Sequence, residues 1–280
     1  MVNMNRLPIA KRAQILGLMV EGMSIRAISR VTGASKNTIV KLLAEVGEAC
    51  SKYQDETLRN LPCKRLQVDE IWSFVAMKER QVPAELKGTP GIGDTWTWTA
   101  IDADTKLIAS WLVADRSPNA ARIFIRDLQS RLANRVQLTT DGLKTYLGAV
   151  AQEMPEADYA MLVKLYGDSA DANKSSGRRY SPAECIGTEK KVIAGKPDPA
   201  HISTSFAERQ NLTMRMSMRR FTRLTNAFSK KVENHIHAIS LYFMHYNFAR
   251  IHQTLRVTPA MEAGVSDHVW SLEEIADLAE

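Results

Sequence analysis

The segment between residues 66 and 114 constrains the fold of this chain most, because its apolar residues follow a period of two. It contains three runs rich in β-branched and aromatic residues, which are Leu66 to Ala76, Thr95 to Ile101 and Lys106 to Ala114. Residues 102–105 form a hairpin turn between the last two runs, and the proline- and glycine-containing residues 77–93 form a loop after the first. These patterns predict three antiparallel β-strands.

Helical and extended patterns alternate in the next stretch. An amphipathic helix is predicted over Pro118 to Leu132, a strand over Val136 to Thr140, a helix over Leu143 to Gln152 and a strand over Tyr159 to Leu165. Three antiparallel strands followed by this alternation predict an α/β fold with a mixed sheet and flanking helices. The order resembles that of ribonuclease-H-like folds, which indicates a fold and not yet a function.

The chain after residue 165 has a different character. Residues 166–203 are rich in glycine, serine, proline and charge, and are predicted to be an inserted functional loop or partly disordered. A helix is expected from Thr204 through Arg219, and a second one, a core or dimer helix, over residues 226–250. Residues 256–280 are predicted to form a separate acidic tail, which would close a catalytic domain spanning residues 65–255.

Residues 8–46 predict three short helices, with Gly33 in a tight turn and Ser35 capping the third. This is the helix-turn-helix pattern, in which the start of the last helix meets DNA bases. We therefore predict an all-α DNA-binding domain over residues 1–50 and a connector over residues 51–64. Its outward DNA-contacting residues are expected to be Lys36, Asn37, Thr38 and Lys41. A plain three-helix packing unit is the alternative interpretation.

Composition agrees with a polyanionic partner without requiring one. The 37 Lys and Arg exceed the 31 Asp and Glu, and six of the acids lie in residues 260–280. A basic body suits DNA, although an ordinary basic protein has the same composition. The three scattered cysteines favour neither disulfides nor a zinc site, and no apolar stretch is long enough to span a membrane. A cytoplasmic, nucleoid-associated protein is expected.

Three acids are candidate ligands for the divalent ions used in phosphodiester cleavage. Asp69 lies within an apolar strand, where a charge is costly unless it is paired or bound to a metal. Asp141 follows a strand, although Asp-Gly is also an ordinary turn or helix cap. Glu208 is the fourth residue of a possible capping box that begins at Ser205. Each acid thus has a structural explanation as well as a catalytic one.

Basic and polar residues follow Glu208 on the predicted helix. Asn211 and Arg215 share a face with Glu208, and Arg219 and Arg223 lie in an arginine-rich stretch beyond them. These four residues are predicted to contact DNA beside the metals, although a solvated helix face would look the same. The histidines lack the spacing of a zinc site and are expected to serve packing or hydrogen bonding.

Taken together, the runs VDEIWSFV, TTDG and TSFAERQNLTMRMSMRRFTRLTNAFSKKVENH and the tryptophan-rich hairpin resemble the catalytic domain of insertion-sequence DDE transposases. The similarity is greatest to the insertion-sequence-one type, in the retroviral-integrase-like superfamily, and covers residues 65–255. The resemblance implies that Asp69, Asp141 and Glu208 bind two Mg²⁺ ions, which Mn²⁺ can replace. It also implies that Arg215 contacts substrate DNA.

Two features depart from that family. The N-terminus lacks the cysteine-rich module that many members carry, and the interval from Asp141 to Glu208 is longer than the family pattern. The expected protein is a homo-oligomeric transposase that binds the terminal inverted repeats of a mobile element, cuts the DNA and joins it to target DNA. A helix-turn-helix regulator and a nuclease without strand transfer are the alternatives.

Overall fold

The computed structural model describes residues 6–166, 185–222 and 226–280. Its N-terminal part contains three helices, α1 (Ile9–Val20), α2 (Ile25–Thr32) and α3 (Lys36–Thr57). Ser24 caps α2 through its side chain, Ser35 caps α3 as the sequence predicts, and Gly33 ends α2 at a φ of 74°. The third helix continues well beyond residue 50, so much of the predicted connector over residues 51–64 is helical.

The described strands form one mixed sheet. They are β1 (Arg65–Val75), β2 (Gly93–Asp102), β3 (Ile108–Ala114), β4 (Gln137–Thr140), β5 (Asp158–Tyr166) and β6 (Cys185–Ala194), in the order β3-β2-β1-β4-β5-β6. The first three are antiparallel neighbours, and β1, β4 and β5 run parallel. The predicted mixed α/β sheet is confirmed, and its order is compatible with a ribonuclease-H-like fold.

Helices cover both faces of this sheet. On one side lie α4 (Pro118–Arg131) and α5 (Thr145–Glu153), whose buried residues join Val68 and Trp98 in a large apolar cluster. On the other lie α6 (Ser205–Ser217) and α7 (Val232–Met244), which pack around Ile71 and Phe243 in a smaller one. The two sides of β1 therefore face different helices, as the alternation of a strand requires.

The interval over residues 166–203 is only partly a loop. Residues 167–184 lie outside the described residues, but residues 185–194 form β6, an antiparallel edge strand beside β5. Its apolar residues are mostly exposed, among them Ile186 at 68% and Val192 at 57%. Because the strand buries neither face, its sequence carries no alternating pattern. The pattern of the sequence therefore does not predict this strand.

The last long helix is shorter than predicted. Instead of spanning residues 226–250, α7 begins at Val232 and ends at Met244, and a π-helical turn follows over His245–Ala249. Among the described residues, no helix is both long and apolar enough to cross a membrane.

The N-terminal helices pack directly against the α/β part, through α3 and α7. Gly47 in α3 makes this approach possible, because a Cβ at that position would lie 2.5 Å from His237 Cβ and 2.7 Å from the His237 carbonyl oxygen. Any side chain there would force the two helices apart.

The acidic C-terminal segment is not a separate tail, contrary to the prediction. It contains α8 (Pro259–Glu262) and α9 (Leu272–Asp277), and the latter packs on α1 with Ile275 and Ala276 fully buried. Arg12, whose side chain is 2% exposed, donates hydrogen bonds to the Ala276 carbonyl and to Glu280 Oε1, the latter at 2.6 Å. The acids of this segment predict that it is exposed to solvent, but its few apolar residues determine that it packs on α1.

Candidate metal centre

The sheet brings Asp69 and Asp141 together. Parallel pairing aligns Val68 of β1 with Thr140 of β4, and the residue that follows each of them in the chain is an aspartate. One oxygen from each of Asp69, Glu70 and Asp141 lies within 4.8 Å of the other two. Two of the three predicted acids thus meet at this point of the sheet, and Glu70 joins them.

Glu70 was not among the predicted site residues. It is buried on the α5 side of β1, where it accepts a hydrogen bond from the Tyr146 hydroxyl at 3.0 Å and one from Arg116 Nε at 2.8 Å. Arg116 also lies over the Trp96 ring, 4.5 Å from its centroid. Both Glu70 oxygens are therefore held by side chains, one by Arg116 and the other by Tyr146.

The cluster is electrostatically unfavourable in the absence of a cation. Burial and the charge of Asp141 raise the pKa of Asp69 to about 7. Burial, Asp141 and Asp69 likewise raise the pKa of Glu70 to about 7, and burial raises the pKa of Asp141. Carboxylates that repel one another in a buried place have a high affinity for cations.

Asn211 of α6 faces this cluster. Its side chain is 6% exposed and its Nδ2 donates a hydrogen bond to Asp69 Oδ2 at 2.8 Å. Its Oδ1 is buried and has no hydrogen-bond partner among the described residues. Asn211 is therefore turned inward, where it orients Asp69, and its contact with DNA stays a prediction.

Glu208 lies near the three acids but not within their compact group. Its Oε2 accepts a hydrogen bond from Lys164 Nζ on β5 at 2.5 Å, and its Oε1 accepts one from the Thr204 hydroxyl at 2.5 Å. Of the three predicted ligands, Asp69 and Asp141 thus meet, and Glu208 is held by a lysine, so that the three-acid ligand set stays a prediction. No local pattern points to Lys164, because β5 has the sequence of an ordinary strand.

The helix α6 nevertheless directs Glu208 toward Asp69. Gln67 of β1 accepts hydrogen bonds from the backbone N–H groups of Phe206 and Ala207, at 2.7 and 3.3 Å, and so fixes the start of the helix against the strand. Glu208 lies one turn before Asn211, on the same helix face. Its charge also contributes to the raised pKa of Asp69.

Of the two structural explanations offered for the acids, a capping box for Glu208 and a turn for Asp141, the structure contains only the second. The capping box at Ser205 is absent from α6, because the N-cap residue is Thr204 and makes no side-chain cap hydrogen bond to the backbone. Asp141 does serve its turn, since its Oδ1 accepts a hydrogen bond from the Leu143 N–H at 3.0 Å. A turn role and a place beside Asp69 are compatible, because the hydrogen bond to Leu143 uses only one of the two carboxylate oxygens.

The residues present fit a hard divalent cation. Mg²⁺ prefers oxygen ligands and keeps several waters, so a few carboxylates are sufficient. Asp69 and Asp141 supply carboxylate oxygens, and the unpaired Oδ1 of Asn211 is a buried acceptor beside them. Oxygen donors of this kind suit Mg²⁺ or Mn²⁺ better than a soft metal.

The remaining predicted DNA contacts lie at the surface where the structure describes them. Lys36, Asn37, Thr38 and Lys41 are exposed at the start of α3, and Arg215 and Arg219 are exposed on and after α6. Arg223 lies outside the described residues. These positions reach solvent, in contrast to Asn211.

His235 confirms the expectation of a packing role. It is fully buried between Ser73 and Ser229, whose hydroxyls lie 3.1 and 3.2 Å from its two ring nitrogens. Burial and the charge of Arg220 lower the pKa of His235 to about 3, so the ring is neutral. It lies on the buried face of α7 and is not part of the acid cluster.

Comparison with known proteins adds no assignment. No protein-family model matches the chain, and a search of the curated proteins finds no significant match. The functional interpretation therefore depends on the site itself.

Proposed function

We propose that this chain is a DNA transposase of the DDE type, with Asp69, Asp141 and Glu208 as the ligands of two divalent ions. The observation that carries the proposal is the juxtaposition of Asp69 and Asp141 on adjacent parallel strands of a mixed sheet, with Glu208 on the helix that faces them. A ribonuclease-H-like catalytic domain and a helix-turn-helix DNA-binding unit are both parts of this proposal.

Divalent ions, when bound, would stabilise the negative charge that builds on the attacking and leaving oxygens of a phosphodiester. The chain itself supplies the arrangement around them. Gln67 fixes α6 against β1, Asn211 orients Asp69, and Arg116 with Tyr146 holds Glu70. Because these partners restrain the acids before any ligand arrives, little reorganisation is left for the moment of reaction.

The exposed basic residues would contact the DNA backbone on either side of the acids. Arg215 lies two turns after Glu208 along α6, where phosphates of a bound strand would pass. Lys36 and Asn37 at the start of α3 would read the element ends in the major groove. The proposed enzyme acts as a homo-oligomer on nucleoid DNA in the cytoplasm.

A joined-product assay tests this function. The purified chain would be incubated with Mg²⁺, a DNA duplex carrying the inverted repeats that flank its gene, and a supercoiled target. Cleavage at the repeat ends followed by covalent joining to the target is the expected result. Cleavage without joining would indicate a nuclease, and binding without cleavage would indicate a regulator.

A double substitution separates DNA recognition from chemistry. Lys36→Ala with Asn37→Ala is expected to weaken binding to the repeat ends by about tenfold or more, at roughly 1–3 kcal/mol per base contact. Cleavage of a preformed, tightly bound end should be affected much less. Unchanged affinity for the ends would show that a different surface reads them.

A further inference from the structure

A lysine lies beside Glu208, at the position where the proposed centre would be expected to hold a metal. Lys164 Nζ contacts Glu208 Oε2 at 2.5 Å, and the Thr204 hydroxyl occupies the other oxygen of the same carboxylate. Both oxygens of Glu208 are therefore engaged by donors of the chain itself. A divalent ion that approaches Oε2 of Glu208 would meet the Lys164 ammonium at the same oxygen.

Lys164 acts on the rest of the acid cluster as well. Its positive charge lowers the pKa values of Asp69 and Asp141, against the burial that raises them. Burial lowers the pKa of Lys164, but the hydrogen bond to Glu208 and the charges of Glu208, Tyr166 and Asp69 together raise it above its ordinary value. The ammonium group is thus a counter-ion for carboxylates on three different elements of the fold.

The other cation beside the acids is held in a different way. Arg116 binds Glu70 through its planar guanidinium and stacks over Trp96, so its position is fixed by two kinds of contact. Lys164 is a compact charge on a flexible stem of four carbons, with 34% of its side chain exposed. An ammonium group of this kind can move toward solvent at little cost in packing.

We propose that Lys164 is a positioning residue that occupies the cation position at Glu208 until a divalent ion displaces it. This inference rests on the proposed function, since it assumes that Glu208 joins Asp69 and Asp141 as a ligand. The pair holds Glu208 close to the site and keeps it from binding a lone ion too readily. Loading then exchanges one cation for another at the same carboxylate.

Calorimetric titration with Mg²⁺ tests the proposal through a double-mutant cycle of wild type, Lys164→Met, Glu208→Gln and the double variant. Lys164→Met should bind Mg²⁺ about twofold to fivefold more tightly than wild type, which is the scale of a partly exposed ion pair. The gain should be smaller in the Glu208→Gln background, where only the effect of Lys164 on Asp69 and Asp141 is left, and Lys164→Arg should restore the wild-type affinity. Lys164→Gln provides a second neutral variant should Lys164→Met fold poorly.

Matched controls keep the outcomes separate. Lys52→Met removes a lysine from an exposed pair with Glu56 at 4.0 Å on α3 and should leave Mg²⁺ binding unchanged. Equal gains from Lys164→Met in both Glu208 backgrounds, or no gain at all, would overturn the displacement proposal. If wild type binds no Mg²⁺, or if its Mg²⁺ binding is unchanged in Asp69→Asn, the proposed function fails and the displacement proposal fails with it. Mg²⁺ binding that is lost in Asp69→Asn but unchanged in Lys164→Met refutes the lysine proposal alone.

Discussion

The acid cluster on β1 and β4 and the contact between α3 and α7 are both buried, but they place opposite demands on the fold. At the cluster, repelling carboxylates have raised pKa values and a buried amide oxygen of Asn211 is unpaired. At the helix contact, Gly47 lets two backbones meet with no room to spare. The acid cluster destabilises the fold and the contact between α3 and α7 stabilises it, as expected when a ligand site is supported by a rigid frame.

The largest difference between the two regions should appear on substitution of Asp69. Asp69→Asn removes a proposed ligand and is expected to reduce DNA cleavage by about a thousandfold or more, because metal ions contribute several kcal/mol of charge stabilisation. Stability in EDTA should rise or stay the same, since a repelling charge is gone. Cleavage rates and denaturant unfolding of the same preparation measure both effects.

The exposed Asp277 on α9 gives the control for that substitution. Asp277→Asn should leave cleavage and metal binding as they are. Retained cleavage by Asp69→Asn in Mg²⁺ would contradict the assignment of the cluster.

Solution pH should change metal binding strongly. Asp69 and Glu70 must lose protons for the cluster to become fully charged, and their pKa values lie at about 7. Apparent Mg²⁺ affinity is therefore expected to rise about tenfold per pH unit, or more, from pH 5 to about 7 and then to level off. Titrations at several pH values measure this, and a profile that is flat over that range would refute it.

The stability of the metal-free protein should show the reverse trend. The native state still holds protons on Asp69 and Glu70 after the unfolded chain has released them, so stability from these groups is lost as the pH rises from about 4 to about 7. Unfolding in EDTA at each pH measures this trend. Saturating Mg²⁺ should oppose the loss.

The helix contact is tested by adding a single methyl group. Gly47→Ala places a Cβ against the His237 backbone and should cost about 1–3 kcal/mol of unfolding free energy. Gly148→Ala in α5 is the matched control, since a Cβ there meets nothing within 4 Å and should stabilise by about 0.5–1 kcal/mol. Equal effects of the two changes would mean that α3 and α7 are not in close contact.

The smallest of these effects concerns the docked C-terminal segment. Arg12→Met removes buried hydrogen bonds to the Ala276 carbonyl and Glu280, and should destabilise the protein by about 1–2 kcal/mol. Arg6→Met, which removes an exposed partner of Glu280, should cost less than about 1 kcal/mol. If both substitutions are neutral, the segment behaves as the separate tail that its acidic sequence suggests.

The sequence predicted the sheet and two of the site acids because both depend on local pattern. Alternation along β1 places Asp69 and Glu70 on opposite sides, and an acid directly after β4 must lie near its neighbour strand. Lys164, Asn211 and Arg116 acquire their roles only through contacts between distant elements, which no local period records. The docking of α9 escaped prediction for the same reason, whereas β6 escaped it because the strand buries neither face and has no alternating pattern.

The most direct test of the account is a crystal structure of the protein soaked or grown with Mn²⁺, with anomalous scattering used to locate the ion. The account predicts Mn²⁺ bound by oxygens of both Asp69 and Asp141, with Glu208 released from Lys164 and turned toward the metal. A crystal at saturating Mn²⁺ in which no anomalous peak lies between Asp69 and Asp141, and in which Glu208 still contacts Lys164, would contradict it.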